Sequence, residues 1–189
     1  DVTITNAGSA LTTIGAISAG TSLNNFTATA SAAGGSLSLG AVAATVGAAT
    51  TVDTVTYSYG VNTAAAVVGT FDVGSDGTIT TYSYTSGASA QANTVALITA
   101  GEITNMNITT GNGTGSLVFT SLAGVTELGT VTIDTDDTLT FTTGATTATS
   151  VGSLTVTGNG SDTNFGTWMA DGSGASGTIG DITFKGSSS

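Results

Sequence analysis

The sequence predicts an all-β protein, and three observations support this prediction. Short runs of Val, Thr, Ile, Tyr and Phe alternate between apolar and polar residues, a pattern and composition that favour strands. The chain holds 28 Gly, many of them placed between those runs, and no Pro interrupts the strands. We expect a β-sandwich or meander of short strands with glycine turns, and a β-solenoid as the alternative architecture.

The length of 189 residues suits one domain or two small ones. A hydrophobic content of 39% argues against a disordered chain. We divide the sequence into a small-residue and Tyr-rich β region over 1–86 and a β region over 94–189, with a loop between them. The same pattern is also compatible with one continuous domain.

The first region opens with a strand pattern at Asp1, Val2, Thr3, Ile4 and Thr5. The Ala-rich stretch over 41–49 has some helix propensity, but Gly40 and Gly47 favour strands with tight turns instead. Because the opening strand lies at an end of the sequence, we expect it to mediate assembly by pairing with a neighbour's sheet.

A local duplication follows, and it contains all four tyrosines. The segment 55–59 (VTYSY) recurs twenty-five positions later as 80–84 (TTYSY). At the two-residue period of a strand, Tyr57 and Tyr59 share one face, and Tyr82 and Tyr84 do the same. The two strands either pair their aromatic rings within the sheet or present a binding platform for a sugar or a subunit.

Asp76-Gly77, between these two segments, predicts the turn of a hairpin. In the second region, Gly101, Gly115 and Gly129 are fourteen residues apart, and Gly152, Gly166 and Gly180 repeat that spacing. Each glycine precedes a short alternating run. Fourteen residues accommodate one strand and a turn more easily than a full solenoid coil, which favours the sandwich.

The residue types exclude most chemistry. The sequence has no His, no Cys and no Arg, and its single cation is Lys185. Enzymes commonly recruit these side chains as bases, nucleophiles or anion clamps, so we expect no enzyme. A net charge of −11 also argues against nucleic acid as a partner. No apolar run is long enough for a transmembrane helix, and we expect no membrane insertion.

One acidic segment is a candidate metal site. Asp134, Asp136 and Asp137 lie in the predicted turn between the runs TVTI and TLTF. Calcium prefers six to eight oxygen ligands, and alternating carboxylates in a turn can provide several of them. The EF-hand pattern is absent, so the segment is either a calcium site or a solvated turn.

The runs GTITTYSY, LGTVTIDTDDTLTFTTG and GSLTVTGNGSDTN resemble the strand-repeat regions of bacterial and archaeal surface proteins. S-layer proteins, adhesins and autotransporter passengers contain such regions. The resemblance implies an extracellular or cell-surface location, self-assembly or adhesion, and frequently calcium.

We expect a structural protein that self-assembles through strand contacts into a layer, sheath or filament, with itself as its partner. Edges that contain no Pro and little Lys favour this pairing. The alternative is an adhesin or binding module for a cell-surface glycan, for ice or for another surface. Repeated T-x-T runs support that alternative, although the strand propensity of Thr also explains them.

Overall fold

A computed structural model describes residues 1–19, 22–30, 35–44, 50–60, 64–87, 91–111, 115–122, 125–136, 138–141, 148–158, 163–164 and 178–186. Every regular element in these residues is a strand, which confirms the all-β prediction. They contain no helix that could cross a membrane. The strands are β1 (Val2–Asn6), β2 (Leu11–Ile14), β3 (Ile17–Ser18), β4 (Asn25–Ala30), β5 (Ser36–Leu39), β6 (Val42–Ala43), β7 (Thr51–Tyr59), β8 (Val67–Val68), β9 (Phe71–Asp72), β10 (Thr78–Ser86), β11 (Ala92–Thr99), β12 (Glu102–Thr110), β13 (Ser116–Ser121), β14 (Glu127–Thr135), β15 (Thr138–Phe141), β16 (Ser150–Gly158), β17 (Thr163–Asn164) and β18 (Thr178–Gly186).

The strands form a parallel β-solenoid, the alternative architecture of the sequence analysis. Sheet A has the order β1-β4-β7-β10-β12-β14-β16-β18 among the described strands. Sheet B has the order β2-β5-β8-β11-β13-β15-β17, and a short branch of β3, β6 and β9 joins it at β11. Neighbouring strands in both sheets run parallel, so the hairpins of a sandwich or meander are not formed.

One coil of the solenoid is longer than the glycine spacing indicated. Val2 pairs with Phe26, Phe26 with Val55 and Val55 with Tyr82, so these coils take 24, 29 and 27 residues. Gly101 precedes β12 of sheet A and Gly115 precedes β13 of sheet B. The fourteen-residue step therefore covers one strand and one corner, about half a coil.

The predicted hairpin at Asp76-Gly77 is wrong. β9 pairs with β6 and β11, whereas β10 pairs with β7 and β12, so the chain turns a corner between two sheets. Gly74 has a φ of 82°, a left-handed conformation that suits glycine. The amide of Gly77 donates to the Gly74 carbonyl at 3.1 Å and closes the corner.

Alternate residues of sheet A point into the solenoid and fill its core. Phe26 packs against Tyr57 and against Phe71 of β9, each with ring centroids 5.7 Å apart. Further along the axis the same interior positions hold aliphatic residues such as Ile108 and Ile133, both buried. Such burial contributes about 1.5–3 kcal/mol for each large apolar side chain.

Small polar side chains satisfy the backbone at the corners. Asn6 donates to the carbonyls of Ala10 and Ser36, at 2.9 and 2.8 Å. Thr110 and Thr135, one coil apart, share a buried hydrogen bond of 2.8 Å between their hydroxyls. The bonds from Asn6 to Ser36 and between Thr110 and Thr135 connect consecutive coils where the strand ladders end.

A glycine ladder marks the start of sheet A in the later coils. Gly129, Gly152 and Gly180 lie above one another, because their strand neighbours pair in register. A Cβ added at Gly152 would stand 2.8 Å from the Gly129 carbonyl oxygen. Glycine therefore permits the close approach of backbones at this position.

Candidate functional site

The outer surface of sheet A is a regular array of small hydroxyl side chains, which we call the hydroxyl face. It consists of two neighbouring columns of outward residues, one position per strand. A further outward column of sheet A, which includes Asn25, Thr54 and Asp181, lies beside them. The first column is Thr3, Thr27, Thr56, Ser83, Asn107, Thr132, Thr155 and Thr183. The second column is Thr5, Thr29, Ser58, Thr85, Thr109, Asp134, Thr157 and Lys185.

The two columns follow from strand geometry. Residues two apart in a strand point to the same side, so each coil contributes one T-x-T-like pair to the surface. The residue between the pair, such as Tyr57 between Thr56 and Ser58, points inward and is buried. Parallel, in-register pairing then stacks the pairs along the axis. The members of both columns are half-buried or exposed.

Spacing on this face is set by the backbone. Adjacent strands of a sheet lie about 4.7–4.9 Å apart, and residues two apart along a strand are separated by about 6.6 Å. Because both spacings repeat from β1 to β18, the hydroxyl face is a two-dimensional grid. Only Asn107, Asp134 and Lys185 interrupt the hydroxyls in the two columns.

Two carboxylates of sheet A lie beside the hydroxyl face. Glu102 and Glu127 pair in register at the starts of β12 and β14. They line a groove of about 320 Å³ together with Ser150 and the glycine ladder. Glu102 also accepts a hydrogen bond of 2.9 Å from the Thr104 hydroxyl. These carboxylates therefore occupy a different position along the strands from the two columns.

The tyrosines do not form a surface platform. Tyr57, Tyr59, Tyr82 and Tyr84 are at most 2% exposed, which corrects the interpretation that they present a binding platform. Tyr57 lies 5.8 Å from Tyr82 between ring centroids, and Tyr59 lies at the same distance from Tyr84. Ring pairs of this kind stabilise a core by about 0.5–1.5 kcal/mol beyond their buried area.

Burial also changes the acidity of these phenols. The pKa of Tyr57 is raised well above 10.0, mainly because burial disfavours the phenolate and secondarily because Tyr59 is close. Burial raises the pKa of Tyr82 in the same way. The hydroxyl of Tyr57 is buried without a hydrogen-bond partner, so its role is packing.

Two residues of the predicted calcium segment, Asp134 and Asp136, lie in different parts of the solenoid. Asp134 is exposed in the second column, between Thr109 and Thr157. Asp136 lies at the corner after β14, where its amide donates to the Thr110 hydroxyl at 3.2 Å. Asp137 is outside the described residues. Within the described ranges no three carboxylates come together as a metal site, and calcium at this segment stays a prediction.

The predicted assembly strand is paired within its own chain. Val2 to Asn6 form β1, which pairs in register with β4. Asp1 precedes it, and the Asp1 carboxylate accepts a hydrogen bond of 3.0 Å from Asn25. Thr3 and Thr5 belong to the hydroxyl face, whereas Val2 and Ile4 pack against the core. β1 therefore pairs within its own chain, and a role for it in assembly stays a prediction.

The T-x-T runs are visible in the sequence, but their arrangement in a single surface is not. The sequence signal for the hydroxyl face is a pair of hydroxyl residues two apart that recurs at the coil spacing. Examples are Thr27-x-Thr29, Thr56-x-Ser58 and Ser83-x-Thr85. Variable corner lengths obscured it, because the intervals differ from coil to coil. Comparisons with protein-family models, with curated protein sequences and with solved structures give no match to this chain.

Proposed function

We propose that this protein is an extracellular binding module whose hydroxyl face attaches to an extended, regularly ordered surface. The observation that supports this function is the in-register array of small hydroxyls along sheet A. Strand propensity favours Thr at exposed positions, but it favours Val, Ile and Tyr as well. Propensity alone therefore gives no reason to fill both columns with small hydroxyl side chains.

Rigidity supports the same function. The face lies on a parallel sheet whose inner side is fully packed, with residues such as Val55 and Tyr82 completely buried. Thr is β-branched, and its χ1 angle is restricted before anything binds. Little conformational entropy is then lost on contact, which favours binding by many weak, repeated interactions.

The experiment is a depletion assay with the purified chain and several insoluble surfaces: ice, cellulose, chitin and a mineral. The test variant carries Thr27→Lys and Thr56→Lys on the hydroxyl face. Its matched control carries Thr13→Lys and Thr94→Lys, two hydroxyl positions on the outer side of sheet B. We expect the chain to bind at least one surface, and the test variant alone to lose that binding.

The proposal fails if the unmodified chain binds none of these surfaces, or if the sheet B control loses binding as fully as the test variant. Circular dichroism and thermal melting of all three proteins confirm that each remains folded. Retained binding in the folded test variant would also contradict the proposal, because two long ammonium side chains would hold a flat surface away from the face.

A second function, self-assembly into a layer, sheath or filament, is supported by the last described strand. Ile182 and Phe184 of β18 are 50% and 65% exposed, although they continue columns that are buried in earlier coils. Exposed apolar groups on an edge strand favour association with a second copy of the chain.

Self-assembly is tested by negative-stain electron microscopy and by light scattering at increasing protein concentration, with calcium and with chelator. We expect polymers that are lost in a variant carrying Ile182→Lys and Phe184→Lys. Loss of polymers in chelator would support a calcium site near Asp134 and Asp136. Monodisperse particles in all conditions would contradict the self-assembly hypothesis.

A further inference from the structure

The composition of the hydroxyl face identifies the kind of surface that it fits. From β1 to β10 both columns contain only Thr and Ser: Thr3, Thr5, Thr27, Thr29, Thr56, Ser58, Ser83 and Thr85. Three successive strand spacings of about 4.8 Å make this part roughly 14 Å long. It offers hydroxyl and methyl groups at fixed intervals, and neither a charge nor a ring projects from it.

A glycan is a poor match for such a face. Sugar sites commonly use aromatic rings, on which the apolar side of a pyranose can stack. In the described part of the chain, the tyrosines of sheet A lie inside the solenoid, and no aromatic residue occurs in either outer column. Recognition of a polysaccharide would then depend on hydroxyl contacts alone, against water that competes for the same groups.

A protein partner is also disfavoured. Protein interfaces depend on a few large anchors, chiefly Trp, Tyr and Arg, that bury in pockets of the partner. The two columns contain none of these residue types, and their one cation and one carboxylate, Lys185 and Asp134, lie in the later coils. A grid of small groups offers no large side chain to act as such an anchor.

A protein surface needs neither aromatic rings nor charges to bind ordered water. Each Thr or Ser hydroxyl can donate one hydrogen bond and accept others, as a water molecule does. Fixed hydroxyls at regular intervals can therefore hold water molecules in a regular layer, and the Thr methyl groups exclude water from the positions between them. Such a layer is complementary to the surface of a water crystal, in which the same molecules repeat at fixed spacing.

We propose that the hydroxyl face binds ice, with the all-hydroxyl part from β1 to β10 as its principal contact area. This inference rests on the proposed surface-binding function and names its ligand. Binding at the growing front of a crystal would hinder further growth there, because the ice would have to curve around each bound molecule. The protein would then lower the freezing point without lowering the melting point to the same extent.

The test measures partition into slowly growing ice and the gap between melting and freezing temperatures, using the purified chain at equal molar concentrations. The test variant is Thr56→Tyr, which projects from the all-hydroxyl area without adding a charge. The control is Thr94→Tyr on the outer side of sheet B. We expect the unmodified chain and the control to enter ice, and the test variant to be at least tenfold depleted from it.

Three further outcomes distinguish failure of the ice assignment from failure of the surface-binding function and of the assigned face. Binding of cellulose or chitin that is lost in Thr56→Tyr, with no partition into ice, would overturn the ice assignment and leave the surface-binding function intact. Failure to bind any tested surface would overturn both. Equal partition of both variants and the unmodified chain into ice would show that the hydroxyl face is not the contact area.

Discussion

The two outer surfaces of the solenoid share one backbone architecture but differ in what they display. The outer side of sheet A has two parallel columns composed almost entirely of Thr and Ser. The comparable column of sheet B runs through Thr13, Ser38, Val67, Thr94, Val118 and Thr140. There Val67 is 46% exposed, and valines interrupt the hydroxyls.

This difference shows how far strand propensity explains each surface. Both surfaces satisfy strand propensity, since Val and Thr are both β-branched. Propensity alone would therefore allow the mixed composition of sheet B on either side. The two columns of sheet A have a narrower composition than strand propensity requires, and the proposed binding function would explain it.

The largest effect is expected from the glycine ladder that supports sheet A. A Cβ at residue 152 would meet the Gly129 carbonyl oxygen at 2.8 Å, so Gly152→Ala should destabilise the protein by about 1–3 kcal/mol. Urea unfolding measures this change. Gly186→Ala is the control on the same sheet, because an added Cβ there meets no atom within 4 Å. Equal effects of the two substitutions would contradict the close packing of the ladder.

The next effect concerns the interior beneath the hydroxyl face. Tyr57→Phe removes a buried hydroxyl that lacks a hydrogen-bond partner. We therefore expect the free energy of unfolding at pH 7 to stay the same or to rise, by at most about 1 kcal/mol. Urea unfolding of both proteins checks this. A loss of more than 1 kcal/mol would show that the hydroxyl is bonded.

The same variant tests how the free energy of unfolding depends on pH. The pKa of Tyr57 is higher in the folded state than the ordinary value of 10.0. Above about pH 10 the unfolded chain loses the phenol proton while the folded chain keeps it, so the free energy of unfolding falls as pH rises. Tyr57→Phe should make that decline shallower. Parallel pH profiles of the two proteins would contradict the assignment.

A smaller effect should come from extending the array. Asp134 interrupts the second column between Thr109 and Thr157, and Asp134→Thr restores a hydroxyl there. We expect about threefold tighter surface binding, because one charged, strongly hydrated group no longer separates the two halves of the column. Depletion isotherms measure the change, with Asp53→Thr, outside both columns, as the control. Weaker binding by Asp134→Thr would contradict continuity of the face.

The smallest effect should come from salt. An interaction made by uncharged hydroxyls is not screened, so binding should change less than about twofold between roughly 0.05 and 0.5 M sodium chloride. Isotherms at the two salt concentrations are sufficient. A steep loss of binding in high salt would instead assign the contact to carboxylates such as Glu102 and Glu127.

The class of secondary structure could be predicted from the sequence, but the register could not. Alternation in a segment such as 55–59 correctly indicated a strand with Tyr57 and Tyr59 on one side. The duplication offset of twenty-five residues suggested that Tyr57 is equivalent to Tyr82, whereas Tyr57 pairs with Tyr84 in the sheet. A shift of two residues keeps each side chain on its face, so the alternation pattern does not reveal it.

The candidate site can be recognised only when the register of the strands is known. Single T-x-T runs are compatible with any exposed strand, and only parallel stacking at coil intervals makes them one surface. Coils of 24, 29 and 27 residues hide the repeat, because corners of different length separate the strands. Of the two interpretations of the tyrosines, pairing of the rings within the sheet is the one that the structure bears out.

The most direct test of the hydroxyl face uses cysteine protection. The chain contains no Cys, so Thr56→Cys and Thr94→Cys each introduce a unique thiol, on sheet A and sheet B respectively. Maleimide labelling rates are compared for free protein and for protein bound to the surface that the depletion assay identifies. We expect binding to slow the labelling at residue 56 at least tenfold and to leave the rate at residue 94 nearly unchanged. Equal protection of both positions, or protection at residue 94 alone, would contradict the account.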